Sequence, residues 1–232
     1  MRYKNVIEGI FIERKNRFVA IVEICGKEEI CHVKNTGRLK ELFIKGVKVG
    51  LSVSDNPDRK TKYDVISVKK GDEWINVDSQ APNIAAREWI ESGGLGKVTA
   101  VKPEQSYTVS DGSEKARFDF YVEFENGEKG YVEVKGVTLK ENGTALFPDA
   151  PTTRGVKHLN ALSDALDSGY KSYVLFVIQM KGVKKFSPNV KTHLEFAETL
   201  RKVSENGVEI IAVDSLSGID FMNIDEKVDV VL

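Results

Sequence analysis

The hydrophobic pattern changes character once along the chain. Before residue 80 the apolar positions fall in short runs rich in β-branched and aromatic residues. They predict strands over 6–12, 18–24, 30–33, 47–53, 63–68 and 74–77, with turn residues such as Gly26-Lys27 between them. Short strands at this spacing predict a small OB-like β-barrel, and no segment before residue 80 is long enough to compete as a helix.

From Gln80-Ala81-Pro82-Asn83 onward the pattern alternates. Asn83 is placed as the N-cap of a helix over 84–91, which Gly93-Gly94 ends. Strands are predicted near 98–101, over 116–124 and over 131–139. A helix over 152–168 carries Val156, Leu159, Leu162 and Leu166 on one stripe, with Gly169 just beyond it. A buried strand over 173–179, a helix over 190–204 stopped by Asn206-Gly207, and a strand over 208–213 complete the series. The chain therefore reads as two α/β-class domains: a barrel over 1–80 and a mixed sheet flanked by helices over 81–232.

Composition narrows the function classes. The 232 residues carry 34 Lys plus Arg and 35 Asp plus Glu, a net charge of −1, with 41% hydrophobic residues. That excludes disorder and a uniformly basic nucleic-acid coat. The total hides a segregation, however. Residues 34–70 hold ten basic and four acidic residues, whereas 205–232 hold seven acidic and one basic. No apolar run approaches the ~18–20 residues of a membrane span. The N-terminal Met1-Arg2-Tyr3-Lys4-Asn5 lacks the apolar core of a signal peptide. A cytoplasmic protein without membrane association is the expectation. Cys25, Cys31 and His32 fall short of the ligand set of structural zinc. Gly93-Gly94-Leu95-Gly96-Lys97-Val98 resembles a phosphate loop but lacks its first Gly and its Ser/Thr.

The stretch that carries chemistry is 117–135. It contains Asp119, thirteen intervening residues, then Glu133-Val134-Lys135, the Asp…Glu-x-Lys pattern of PD-(D/E)xK nucleases. Its register follows from patterning. A two-residue Asn126-Gly127 turn would oppose Phe120 to Glu133 and mix charges with aromatics. A three-residue loop, Glu125-Asn126-Gly127 with Gly127 left-handed, opposes Phe120 to Val132 and Phe118 to Val134, with Phe124 on the same apolar face. Asp119 then opposes Glu133, and Arg117 opposes Lys135, on the other face. Two carboxylates about 5 Å apart repel when both are ionised, and a divalent cation between them removes that cost. Mg²⁺ (or Mn²⁺) suits such a pair, and Lys135 can orient a water or stabilise charge on a phosphate. The same residues also fit a salt-bridged charge ladder with no metal.

The chain resembles the sugar fermentation stimulation protein (SfsA) family nearly end to end. The resemblance is carried by Arg17-Phe18, Cys31 to Arg38, Ser54 to Thr61, Ala81-Pro82-Asn83, Arg117-Phe118-Asp119, Tyr131 to Lys135, Phe147 to Ala150, Thr153 to Leu159 and Leu175 to Gln179. It implies an N-terminal OB-like domain, a C-terminal PD-(D/E)xK nuclease-like domain, and binding of DNA without sequence specificity. Residue by residue, it places Asp119, Glu133, Lys135 and Gln179 at a catalytic site, with Glu88 as an extra metal ligand beside Asp119 and Glu133. Asp149 either approaches the metal or ends a loop. Arg154, Lys157 and His158, opening a helix, form a phosphate seat. Arg17, Lys34, Arg38, Arg59 and Lys60 of the barrel are DNA-binding candidates. Pro151, Asp78 and Thr192 to Glu195 depart from the family pattern without touching the motif.

Overall fold

In the computed structural model, residues 1–112 and 114–232 are described. The N-terminal strands are β1 (Val6–Arg14), β2 (Val19–Ile24), β3 (Lys27–Val33), β4 (Lys48–Val53), β5 (Tyr63–Lys70) and β6 (Glu73–Asn76). They hydrogen-bond in the order β3-β2-β1-β4-β5-β6, and a parallel β3–β5 pairing closes five of them into a barrel. Alternation explains the closure. Along β2, Ala20, Val22 and Ile24 are buried while the intervening residues are not, so one face of each strand fills the interior. β6 forms a hairpin with β5 and leads out of the barrel.

The second domain contains α1 (Ala81–Glu91), β7 (Val98–Thr108), β8 (Lys115–Phe124), β9 (Lys129–Val137), β10 (Leu139–Glu141), β11 (Thr144–Phe147), α2 (Thr153–Asp167), β12 (Lys171–Ile178), β13 (Lys185–Pro188), α3 (Leu194–Glu205), β14 (Glu209–Ser217) and β15 (Met222–Val230). Nine strands form one sheet in the order β10-β11-β13-β15-β14-β12-β9-β8-β7. β9, β12 and β14 run parallel at its centre, and every residue of β12 after Lys171 is buried. Ala81, Ala85, Ala86 and Ile90 of α1 pack in one core with Phe120, Val122, Val132 and Val134. Val156, Leu159 and Leu162 of α2 pack in the other with Phe118, Tyr131 and the barrel interior. No helix among the described residues is long and apolar enough to cross a membrane.

The hairpin register is the one patterning predicts: Phe120 pairs with Val132, Tyr121 with Tyr131 and Val122 with Gly130. Gly127 has φ 85°, and the Phe124 N–H donates to the Glu128 carbonyl at 2.9 Å, so the loop is Glu125-Asn126-Gly127. One part of the expectation fails. The β8–β9 ladder stops at Phe120–Val132, and the Asp119 carboxylate accepts from the Val134 N–H at 2.7 Å in place of the next backbone rung. Beyond that point Phe118 leaves the apolar face of Phe120 and packs against Tyr107, Tyr131 and His158.

Helix boundaries also shift. Pro82 opens α1, whose N-cap is Gln80, so Asn83 lies inside the first turn and is not the cap. Thr152 caps α2 by accepting from the Gly155 N–H. Residues 190–192 form a turn, His193 is the extended N-cap, and α3 begins only at Leu194. The apolar pattern does not predict β10, β11, β13 or β15, which the fold adds to the sheet.

Candidate metal centre

Asp119, Glu133 and Lys135 meet where β8 and β9 part. The splaying matters because it releases the Val134 N–H from the ladder to donate to the Asp119 carboxylate. Asp119 is held from two directions: Val134 N–H donates to Oδ2, and Asn83 Nδ2 of α1 donates to Oδ1 at 2.8 Å. Glu133 is held from the α2 side. Its Oε1 meets His158 Nδ1 at 2.6 Å and accepts from Lys135 Nζ at 2.5 Å. Glu133 and His158 are buried, and Lys135 is half-buried. The two helices thus deliver one supporting side chain to each carboxylate.

The electrostatics of the two acids differ. Burial, then the negative charge of Glu133, raises the Asp119 pKa, against the opposing pull of Val134 N–H, Asn83 and Lys135. Burial also opposes ionisation of Glu133, but the His158 contact and the Lys135 ammonium outweigh it, and its pKa is lowered. Glu133 Oε2 is buried with no hydrogen-bond partner. An orphaned carboxylate oxygen beside an acid whose ionisation is discouraged is a site short of positive charge. The donor set, two carboxylates of which one oxygen is unpartnered, fits a hard divalent cation.

The family models divide the chain where the fold does. One described as the SfsA N-terminal OB domain matches residues 12–77, and one described as the sugar fermentation stimulation protein RE domain matches residues 80–217. The chain belongs to the sugar fermentation stimulation protein (SfsA) family. Sugar fermentation stimulation protein homologs of Clostridium beijerinckii and Ruminiclostridium cellulolyticum are 55% and 54% identical, and the alignments cover 100% and 99% of both partners. The solved structure of Pyrococcus furiosus SfsA in complex with Ca²⁺ aligns with TM-score 0.87 at 27% identity, covering 100% of this chain and 98% of that one.

In this SfsA-family fold several expected site residues have other occupations. Glu88 lies away from the hairpin: its Oε2 pairs with the Met1 ammonium at 2.6 Å, because it projects from α1 well around the helix from Asn83. Asn83 supplies the α1 contact instead. Gln179 is spent on the domain junction, where its Nε2 donates to the Asn76 carbonyl, Asn76 Oδ1 and the Asp78 carbonyl. Asp149 is exposed and lines a cavity between the domains. His158 is no surface phosphate ligand, since its ring is buried against Glu133. Arg154 is exposed with Nε 3.3 Å from His158 Nε2, and Lys157 pairs with Glu114 at 2.7 Å.

The barrel's basic residues divide likewise. Lys34 pairs with buried Asp78 at 2.8 Å, and Arg59 makes a two-pronged contact to Asp64, which also holds His32. These are internal clamps. Arg17, Arg38 and Lys60 remain exposed. A second carboxylate cluster, Asp214, Asp225 and Glu226, already has its cation: Lys181 Nζ contacts all three. Sequence reading missed Asn83 as a ligand-holding residue, although Ala81-Pro82-Asn83 is among the segments that carry the family resemblance.

Proposed function

We propose that this protein is a divalent-metal-dependent phosphodiesterase of the cytoplasm that hydrolyses DNA held without sequence preference by the barrel. The observation that carries this reading is the partnerless, buried Glu133 Oε2 beside Asp119, one residue away from the splayed end of the hairpin. Asp119 and Glu133 would hold Mg²⁺ or Mn²⁺. The ion, when bound, would supply charge neutralisation for the phosphate and a bound water more acidic than bulk water. The Ca²⁺ complex of the Pyrococcus furiosus relative supports a hard-cation site in this fold.

The remaining work falls to side chains of the chain itself. Asn83 and the Val134 N–H fix the Asp119 carboxylate, so it needs no reorganisation on binding. His158 fixes one oxygen of Glu133 and leaves the other free. Lys135 is placed to stabilise charge developing on the phosphate or to orient the attacking water.

One observation favours a second reading. Lys135 and His158 both contact Glu133 Oε1, so Glu133 is partly neutralised from within. A DNA-binding regulatory protein tied to sugar metabolism, with a nuclease-like fold and no turnover, accounts for that closed arrangement. Incubation of labelled DNA with the chain and Mg²⁺ or Mn²⁺ separates the two. Cleavage lost in both Glu133→Ala and Lys135→Ala supports the phosphodiesterase. Salt-sensitive binding without cleavage under either metal supports the regulator.

A further inference from the structure

Arg14 organises a feature that the metal centre does not use. Its guanidinium donates to four backbone carbonyls: Gly37 and Arg38 at 2.8 Å, Asn35 at 2.7 Å and Arg17 at 2.5 Å. It also lies 5.0 Å above the Phe43 ring. One half-buried cation therefore ties the loop that carries Arg17 and Phe18 to the loop that carries Arg38. Lys34, Arg59 and Lys157 are neutralised by carboxylates, whereas Arg17, Arg38 and Lys40 are exposed with no ion-pair partner among the described residues. Phe18 is 51% exposed, although a large aromatic ring gains by burial.

These residues line a connected groove. A cavity of about 200 Å³ runs beside Phe18, His32 and Lys34, and shares Asn35, Thr36 and Ser79 with one of about 270 Å³. That second cavity reaches from Arg17 to Gly136, the residue after Lys135. A third, of about 360 Å³, holds Arg17, Arg38 and Lys40. The three are small individually and share lining residues, a chain of shallow pockets narrower than the roughly 20 Å width of a duplex. A free aromatic face also has nothing to stack on in a duplex, where each base already covers its neighbours.

We propose that this groove binds single-stranded DNA, with a base stacked on Phe18, adjacent phosphates gripped by Arg17 and Arg38, and the strand running past Gly136 toward Lys135. Arg14 is the positioning residue that sets the two arginines side by side. The inference rests on the reading of the chain as a DNA-acting protein and names the form of DNA.

The test is fluorescence anisotropy in EDTA with a labelled oligothymidylate and with a mixed-sequence duplex of equal length. The oligothymidylate binds more tightly. Phe18→Ala weakens that binding about ten-fold and Phe18→Trp retains it. Arg17→Ala and Arg38→Ala, both at exposed positions, each reduce the slope of log K against log salt by about 0.7. Equal or tighter duplex binding, or oligothymidylate binding that Phe18→Ala leaves unchanged, overturns the single-strand assignment and spares the DNA reading. Absence of binding to either probe overturns both.

Discussion

Asp119 and Glu133 sit in one site and respond oppositely to pH. Asp119 holds its proton more tightly in the folded chain than in the unfolded one. Between those two pKa values the folded state binds more protons, so Asp119 makes stability fall as pH rises through that window. Glu133 is lowered, so the stability it contributes is present above the ordinary carboxylate range and is lost as pH falls through its folded value. A divalent cation relieves the Asp119 penalty only where Asp119 is ionised. Mg²⁺ or Ca²⁺ at a fixed concentration about 100 times its dissociation constant at pH 8 is expected to raise Tm by roughly 5–10 °C there, and by progressively less as pH falls through the raised Asp119 pKa. Asp119→Asn removes a half-buried carboxylate whose ionisation is discouraged; its metal-free Tm is expected to equal or exceed that of the parent, and its metal-dependent rise to vanish. Differential scanning fluorimetry with and without the ion reads both. A metal response that persists in Asp119→Asn contradicts the assignment.

At the scale of elements, α2 matters because it delivers His158 to Glu133 from its first two turns. Thr152 Oγ1 caps that helix by accepting from the Gly155 N–H at 3.0 Å. Thr152→Ala is expected to cost about 1 kcal/mol, a Tm loss of about 2–4 °C, and to lower cleavage by loosening His158. Thermal melts and cleavage rates on the same preparation check this. The strongly periodic elements are the ones legible from the sequence. The barrel strands, α2 and the buried strand β12 follow from apolar spacing, and the hairpin register follows from Phe120, Val132 and Gly127. The strands β10, β11 and β13 span only three or four residues, too few for a period to show. β15 carries Asp225, Glu226, Lys227 and Asp229, so its composition speaks for a solvated end although its backbone joins the sheet. The site was legible at Asp119, Glu133 and Lys135 because spacing and register fix them within one hairpin. Glu88, Gln179 and His158 depend on how helices and the second domain pack, which no local pattern encodes.

At the scale of the molecule, the barrel and the mixed sheet are joined by direct backbone approach. Gly50 of β4 faces the carbonyl of Ile219, and a Cβ there would lie 2.7 Å from that oxygen and 2.2 Å from Ser67 Oγ. Ser67 Oγ itself donates to the Ile219 carbonyl at 2.9 Å, and Asn76 N–H donates to the Gln179 carbonyl at 3.1 Å. Gly50→Ala should force the two domains apart locally, at a cost of about 1–3 kcal/mol. Gln179→Ala strips partners from the Asn76 and Asp78 carbonyls at a similar cost. Both variants should lower Tm with the metal response intact. Loss of the metal response in Gln179→Ala would instead return that residue to the metal centre. Charge is segregated at the same scale: residues 34–70 of the barrel hold ten basic and four acidic residues, and residues 205–232 hold seven acidic and one basic.

Whether the parting of β8 and β9 holds a cation is decided by anomalous diffraction from crystals soaked in Mn²⁺. A cation site there gives a peak within bonding distance of Asp119 and Glu133 Oε2, absent in Asp119→Asn, with Lys181 still filling the Asp214, Asp225 and Glu226 cluster. No peak between Asp119 and Glu133, or a peak only at the Lys181 cluster, contradicts it.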